Sequence, residues 1–214
     1  MDIEAFANKV HGSLARRKRE LTSIRLKIQE SSLDPRHIDW ISRSAILFAY
    51  AHWEGFVKEA SAKYLKLIVA RKLKVGDLSV ELQAACLISC FKRASGSEKV
   101  RYLASILTEM DSKRTELFTV TPEKVINTES NLSSVVFQDL LLGLGLSYHA
   151  IYETRQAFMD EKLLAGRNQV AHGELVAFKA EEALERIDGV LLLLDSYADQ
   201  LIDAVRDEKF LLQR

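Results

Sequence analysis

The middle of the sequence holds a segment, residues 45–57, that is apolar on almost every side when drawn as a helix. A helix without a polar face has to be surrounded by other elements. Helical spacing of apolar residues also runs from Ile3 to Ile28 and from Ile187 to Val205. The chain has only 9 Gly and 2 Pro, too few for the many turns of a fold built from short strands. The pattern therefore predicts an all-α fold, a bundle of packed helices.

The 214 residues are enough for one domain with a sizeable core, and we expect a single domain over residues 1–214. Asp34-Pro35 ends a first helix over residues 1–33, which could pack as an extension of that domain. The other helices are expected at about 39–74, 78–91, 98–107, 135–142 (capped by Ser133 or Ser134), 147–165 and 180–212. Residues 111–131 are expected to form a loop with one helical turn.

The composition also limits the cell compartment and the cofactors. No apolar run approaches the roughly 18–20 residues that a membrane span needs. The N-terminus, Met1-Asp2-Ile3-Glu4, lacks the basic and then apolar pattern of a secretory signal. Cys86 and Cys90 are four apart in a helical stretch, and no nearby His completes a zinc site. We expect a cytoplasmic protein with no membrane partner, no metal site and no cofactor.

The formal net charge is zero, but it is unevenly distributed. Residues 1–80 carry 15 basic and 9 acidic side chains, whereas residues 131–214 carry 8 and 14. A neutral total does not exclude a polyanionic partner, because local fields steer ligands. The run Arg16-Arg17-Lys18-Arg19 is either a solvated helix face or a phosphate-contacting surface, to which Lys58 would add.

One acid interrupts the apolar central segment. Glu54 lies beside Trp53, and a buried carboxylate needs a partner or has to stay protonated. Lys58, four residues later, could pair with it along the helix. An Arg from another helix could do the same, and the sequence leaves both alternatives open.

A compact polar segment, residues 166–174, follows a strongly apolar helix and contains Arg167, Asn168 and His172. A fixed cation and a titratable imidazole suit a phosphodiester, the one for its charge and the other for a proton. On an ideal helix, five residues are about 500°, so Arg167 and His172 would point roughly 140° apart. Either the helix ends between them, as Gly173 allows, or a second copy of the chain completes the site.

This segment resembles the R-x4-6-H signature of the HEPN superfamily in its R-N-x-x-A-H-G-E form. The resemblance extends upstream, since Trp53-Glu54-Gly55-Phe56-Val57-Lys58 is similar to the W-E-G-F-x-K helix of stand-alone bacterial HEPN proteins. Further similar segments are residues 128–132, 136–137, 144–146 and 160–164. Together they cover roughly residues 35–205 in a consistent order.

The resemblance implies a HEPN-like helical bundle with long N- and C-terminal helices that forms a homodimer. It implies a metal-independent endoribonuclease, often a toxin or phage-defence effector restrained by an antitoxin, whose composite site combines two R-x4-H motifs. His172 would act as general acid and base for attack by the RNA 2′-hydroxyl, and Arg167 would stabilise the charged phosphorane. Asn168 would orient the phosphate or the imidazole, and Glu54 would hold Arg167. Arg16, Arg17, Lys18, Arg19 and Lys58 are the candidate RNA contacts.

Two other functions stay open at this point. The chain could be a non-catalytic HEPN module that binds RNA or nucleotide or regulates a partner protein. It could also be a helical scaffold in which Arg167 and His172 are structural. Binding without turnover would favour the first alternative, and pairing of both side chains inside one copy would favour the second.

Overall fold

The computed structural model describes residues 2–30, 34–94, 99–128, 131–174 and 176–212. Its helices are α1 (Ile3–Gln29), α2 (Pro35–Ala70), α3 (Val80–Ala94), α4 (Val100–Thr115), α5 (Pro122–Val125), α6 (Ser134–Gly143), α7 (Ala150–Glu153), α8 (Ala165–Ala171) and α9 (Ala180–Arg206). A π-helix, Phe158–Leu164, leads directly into α8. The described residues contain only two isolated β-bridges and no strand, so the all-α prediction is confirmed.

Three long helices, α1, α2 and α9, pack against one another and form the centre of the bundle. Most of the predicted apolar segment of α2 lies inside it, where Trp53 and Phe56 are fully buried, but Leu47, Phe48 and Ala51 are exposed on one face, so the prediction of burial on all sides is wrong there. Phe137 of α6 meets Trp53 edge-on at a ring distance of 5.0 Å, and Tyr197 of α9 lies 5.5 Å from Phe137. The Tyr197 hydroxyl shares a 2.6 Å hydrogen bond with Ser61 Oγ. The buried Tyr197 hydroxyl therefore has a hydrogen-bond partner inside this aromatic core.

Several predicted boundaries are wrong by a few residues. α2 already begins at Pro35, because the ring nitrogen suits a first helical turn in which an N–H would have no partner. It ends at Ala70 rather than Lys74, just before Lys72 adopts a φ of 54°. α4 continues to Thr115, into the predicted loop. Basic side chains in its last turn stabilise this longer helix, because they interact favourably with the negative C-terminal end of the helix dipole. α9 ends at Arg206, shortly before Glu208, whose φ is 50°.

The predicted helix over residues 147–165 is the larger error. α7 ends at Glu153, and after a turn the chain is wound as the π-helix until Leu164. The predicted helix α6 is confirmed. Of the two predicted N-cap residues the structure has Ser133, because its Oγ accepts the Val136 N–H at 3.2 Å.

Some sequence predictions fall on parts of the chain that are not described. Residues 31–33 of the predicted first helix and residues 129–130 lie outside the described ranges, as does the side chain of Cys90. Cys86 is a half-buried free thiol. Within the described ranges, every helix lacks the combination of length and apolarity that crossing a membrane needs.

α1 shares the hydrophobic core with α2 and α9, and its Phe6, Val10 and Leu21 are fully buried. Ion pairs complete this packing. Lys18 Nζ lies 2.7 Å from a carboxylate oxygen of Asp195, and Arg25 Nε lies 3.0 Å from one of Asp188. Basic residues near the N-terminus are thus neutralised by acidic residues of α9.

Arg17 is the polar centre of the contact between α1 and α2, with only 9% of its surface exposed. Its Nη2 donates to Glu59 Oε2 at 2.9 Å, and its Nη1 donates to the carbonyl of His52 at 3.3 Å. A Cβ at Gly55 would lie only 3.1 Å from Arg17 Nη1. The glycine of the W-E-G-F segment therefore provides the space for this guanidinium group.

The same contact makes folding stability depend on pH through Glu59. Burial raises the pKa of Glu59, but hydrogen bonds from Lys63, Ser13 and Arg17 outweigh it and lower the pKa from 4.5 to about 2. A carboxylate with a lowered pKa in the folded state stabilises the fold above its unfolded pKa. This stabilisation is lost as the pH falls from about 4.5 to about 2.

We expect Glu59→Gln to lower the free energy of unfolding at pH 7 by roughly 1–2 kcal/mol, a figure reduced for partial solvent screening. The gap between wild type and variant should close as the pH falls toward 2. Urea titrations across this pH range measure it. Glu30→Gln, which removes an exposed partner of Lys27, is the control and should have little effect. A difference in the free energy of unfolding that does not change with pH would contradict a stabilising role of the Glu59 carboxylate.

Candidate active site

The polar segment at 166–174 forms a helix and its end, not a loop. Arg167 and Asn168 lie in α8, and His172 caps its C-terminus. Gly173 follows with a φ of 72°, where its N–H bonds to the Val170 carbonyl and the Glu174 N–H to that of Gln169. This double bond pattern is the Schellman motif, which needs a left-handed residue at the glycine position. The helix therefore ends after His172, so Arg167 and His172 keep their helical spacing.

α8 lies directly on the first half of α2. A Cβ on the buried Gly166 would lie 3.5 Å from Ile46, which is an ordinary van der Waals distance and shows how near the two helices are at this point. Arg43 Nη2 donates to the Glu174 carbonyl at 2.9 Å just beyond the helix end. These contacts attach both ends of the motif helix to α2.

Arg167 lies over an aromatic ring that the sequence analysis missed. Its Cζ is 4.3 Å from the ring centre of Tyr50, and its Nη1 donates to Asn168 Oδ1 at 2.8 Å. The Tyr50 hydroxyl accepts the Leu132 N–H at 2.7 Å. The signal that could have found Tyr50 is its position one helical turn before Glu54, in the otherwise apolar segment of α2.

Burial raises the pKa of the Tyr50 hydroxyl above its ordinary value of 10.0, although the Leu132 hydrogen bond and the Arg167 charge lower it in part. The phenol is therefore neutral at physiological pH. Its ring remains a good support for a guanidinium group, since the face of a neutral aromatic ring attracts cations.

Glu54 lies on the next turn of α2. Its side chain is 14% exposed, Lys58 Nζ lies 2.7 Å from its Oε1, and the Thr128 hydroxyl donates to it at 3.0 Å. Of the two partners that the sequence left open, the structure contains the one on the same helix, Lys58. A role for Glu54 in holding Arg167 stays a prediction.

His172 is exposed, and its imidazole makes no hydrogen bond or ion pair with any part of the chain that the structure describes. The imidazole therefore lies at the protein surface. Asn168 is half-buried and accepts the Arg167 bond, while its predicted contact with phosphate or imidazole remains a prediction.

The π-helix before α8 is held on two sides. Asp160 accepts the backbone N–H and the hydroxyl of Ser134 at 2.7 and 2.5 Å, where α6 begins. Phe158 packs on Gly189 of α9, where an added Cβ would lie 2.3 Å from the ring. Arg186 Nε donates to the Lys162 carbonyl at 2.9 Å. The i→i+5 winding changes the phase of the helix just before the motif, so these contacts help to set where α8 points.

The candidate RNA contacts near the N-terminus have different environments. Arg17 is buried, Arg16 lies 3.6 Å from Glu59, and Lys18 pairs with Asp195. Arg19 is exposed and has no ion pair among the described residues. The run is thus mainly a connection between α1 and its neighbours.

Within the described ranges, no group of three His, Cys, Asp or Glu side chains could hold a metal ion.

A family model described as RiboL-PSP-HEPN matches residues 13–203, from within α1 to near the end of α9. The chain belongs to the RiboL-PSP-HEPN family. No curated protein and no solved structure matches the chain. HEPN domains bind RNA in general and are often ribonucleases, so the family match supports the fold and the general kind of partner.

A substitution at Gly189 of α9 tests the packing of the π-helix that precedes α8. We expect Gly189→Ala to destabilise the protein by roughly 1–3 kcal/mol, because the new methyl group displaces Phe158 and strains the π-helix. Chemical denaturation measures the change. Gly12→Ala in α1 is a matched control, with nothing within 4 Å, and should stabilise the protein by about 0.5–1 kcal/mol. Equal effects of both variants would contradict the close packing at Gly189.

Proposed function

We propose that this protein is an endoribonuclease that cleaves RNA without a metal ion, at a composite site completed by two copies of the chain. The observation that carries the proposal is the arrangement on α8, where Arg167 is supported from behind and the His172 imidazole is exposed. A fixed guanidinium group and an accessible imidazole are the two groups that RNA cleavage by its own 2′-hydroxyl requires. The family match supports RNA as the substrate.

In the proposed reaction, the imidazole of His172 takes the proton of a ribose 2′-hydroxyl. The 2′-oxygen attacks phosphorus, and the bond between phosphorus and the 5′-oxygen breaks after a charged phosphorane. Arg167 stabilises the added negative charge, and an imidazolium group returns a proton to the leaving 5′-oxygen. The products are a 2′,3′-cyclic phosphate and a 5′-hydroxyl. RNA supplies the nucleophile itself, so the reaction needs no activated water.

Two features support a homodimer. Side chains about 140° apart on α8 do not converge on one phosphate, whereas a second α8 facing the first would bring an imidazole opposite each guanidinium group. An exposed apolar stripe on α2, formed by Trp40, Leu47 and Phe48, flanks the face that contacts α8. Trp40 is 67% and Phe48 50% exposed. Such a stripe beside an incomplete site is a suitable surface for a second copy.

Arg19 remains our candidate for an RNA contact outside the motif, because it is exposed and has no ion pair among the described residues. Arg16, Arg17, Lys18 and Lys58 are weaker candidates, since each already lies near a carboxylate. The HEPN resemblance extends the proposal to a toxin or defence effector that an antitoxin or another regulatory protein restrains.

The central test is RNA cleavage in the presence of EDTA. We expect wild type to cleave RNA and leave 2′,3′-cyclic phosphate ends, and His172→Ala and Arg167→Ala to lower the rate by at least about 10²-fold. Mapping of the product ends identifies the 2′,3′-cyclic phosphate, and the amount of RNA cleaved with time gives the rates. His11→Ala, which removes an exposed histidine of α1, is the control and should cleave normally.

Full activity of His172→Ala, or cleavage that stops in EDTA, would contradict the proposal. Binding of RNA by wild type without any cleavage would instead favour the non-catalytic HEPN module.

The dimer is tested on the apolar stripe. We expect the double variant Trp40→Glu, Phe48→Glu to be monomeric and to lose cleavage, because two charges would be buried in the interface. Light scattering after size exclusion measures the mass. Val100→Glu in α4 places a charge on another exposed apolar residue and should leave mass and activity unchanged. A stripe variant that stays dimeric and active would refute this interface.

A further inference from the structure

Tyr50 is fixed more firmly than support of a surface arginine requires. Only 3% of its surface is exposed, and its hydroxyl accepts the N–H of Leu132, itself 1% exposed. Displacement of the hydroxyl would break this hydrogen bond and leave a buried N–H without a partner, so the bond fixes where the far end of the ring lies. Because the ring is almost fully buried, packing in the core holds it in place below Arg167.

Arg167 needs such a support. An arginine side chain has many rotamers, and a guanidinium group stabilises a phosphorane only if it is already in place when the charge develops. Asn168, next to it on α8, fixes one edge of the group by accepting Nη1–H. The ring of Tyr50, 4.3 Å from Cζ, fixes its face. Edge and face together leave little freedom of rotation.

We propose that Tyr50 is a positioning residue for Arg167, which presents the guanidinium group to the RNA phosphate in one orientation. The inference rests on the proposed ribonuclease function. Tyr50 itself touches neither RNA nor the reacting atoms and acts only through Arg167. The hydroxyl anchors the ring through Leu132 and also interacts with Arg167, whereas the ring face supports the plane of the guanidinium group, and we assign the effect on the reaction to the ring face.

The test compares Tyr50→Leu, which removes the ring, with Tyr50→Phe, which keeps it. We expect kcat to fall by about tenfold in Tyr50→Leu with KM nearly unchanged, and Tyr50→Phe to stay within about threefold of wild type. Rescue by Phe distinguishes the ring face from the hydroxyl. Wild-type kcat in Tyr50→Leu would overturn the proposal.

A matched control is Tyr64→Leu. Tyr64 is fully buried in the same helix, fourteen residues and thus about 21 Å from Tyr50. We expect it to lower thermal stability at least as much as Tyr50→Leu but to leave kcat unchanged. Loss of kcat in both variants would mean that general loosening of α2, and not positioning, causes the effect.

The double variant Tyr50→Leu, Arg167→Lys shows whether Tyr50 acts through Arg167. Lys cannot lie flat on the ring. We therefore expect Tyr50→Leu to add little to the loss of kcat that Arg167→Lys causes alone. A decrease in kcat equal to the product of the decreases in the two single variants would overturn the proposal.

A measurement without RNA separates this inference from the proposed function. The side-chain NMR signals of Arg167 should carry an upfield ring-current shift that is kept in Tyr50→Phe and lost in Tyr50→Leu. If wild type cleaves no RNA but this pattern appears, the proposed reaction fails while the positioning of Arg167 by Tyr50 stands. Arg167 signals that are the same in all three proteins overturn the positioning, whatever the activity.

Discussion

The rest of the molecule depends on the burial of the middle of α2 on most of its sides, while Leu47, Phe48 and Ala51 stay exposed on one face. Each neighbour is placed by the face of α2 that it covers. α1 covers the face of Gly55, α6 and α9 meet at Trp53, and α8 lies on Ile46. Each large apolar side chain buried in this way contributes about 1.5–3 kcal/mol. Loss of any of these neighbours would expose large apolar side chains of α2 to water.

The candidate site uses a face of α2 that carries polar side chains. Tyr50, Glu54 and Lys58 follow one another at intervals of one turn, toward Thr128 and Leu132. α8 has only seven residues and would not be stable as an isolated helix. It therefore takes its position from α2 and from the π-helix before it. The rigidity of Arg167 is in this sense a property of the core.

The sequence predicted the elements whose signals are local. The apolar periodicity identified α1, α2 and α9, and the polar motif made Arg167 and His172 the candidate catalytic residues. The π-helix could not be predicted, because its winding depends on distant contacts such as Phe158 with Gly189. Tyr50 was missed for a related reason, since its position one turn before Glu54 does not by itself distinguish a tyrosine below an arginine from one in a core. The segments that carry the family resemblance were a better guide than spacing alone.

The zero net charge has a structural explanation that also concerns the site. Lys18 and Asp195 are 177 positions apart and cancel each other across the interface of α1 and α9. Much of the basic N-terminal part is therefore not available to a polyanion. A neutral chain of this kind has to concentrate positive charge locally to bind RNA. A second copy would do so without any new basic residue, because it brings another Arg167 to the same phosphate backbone.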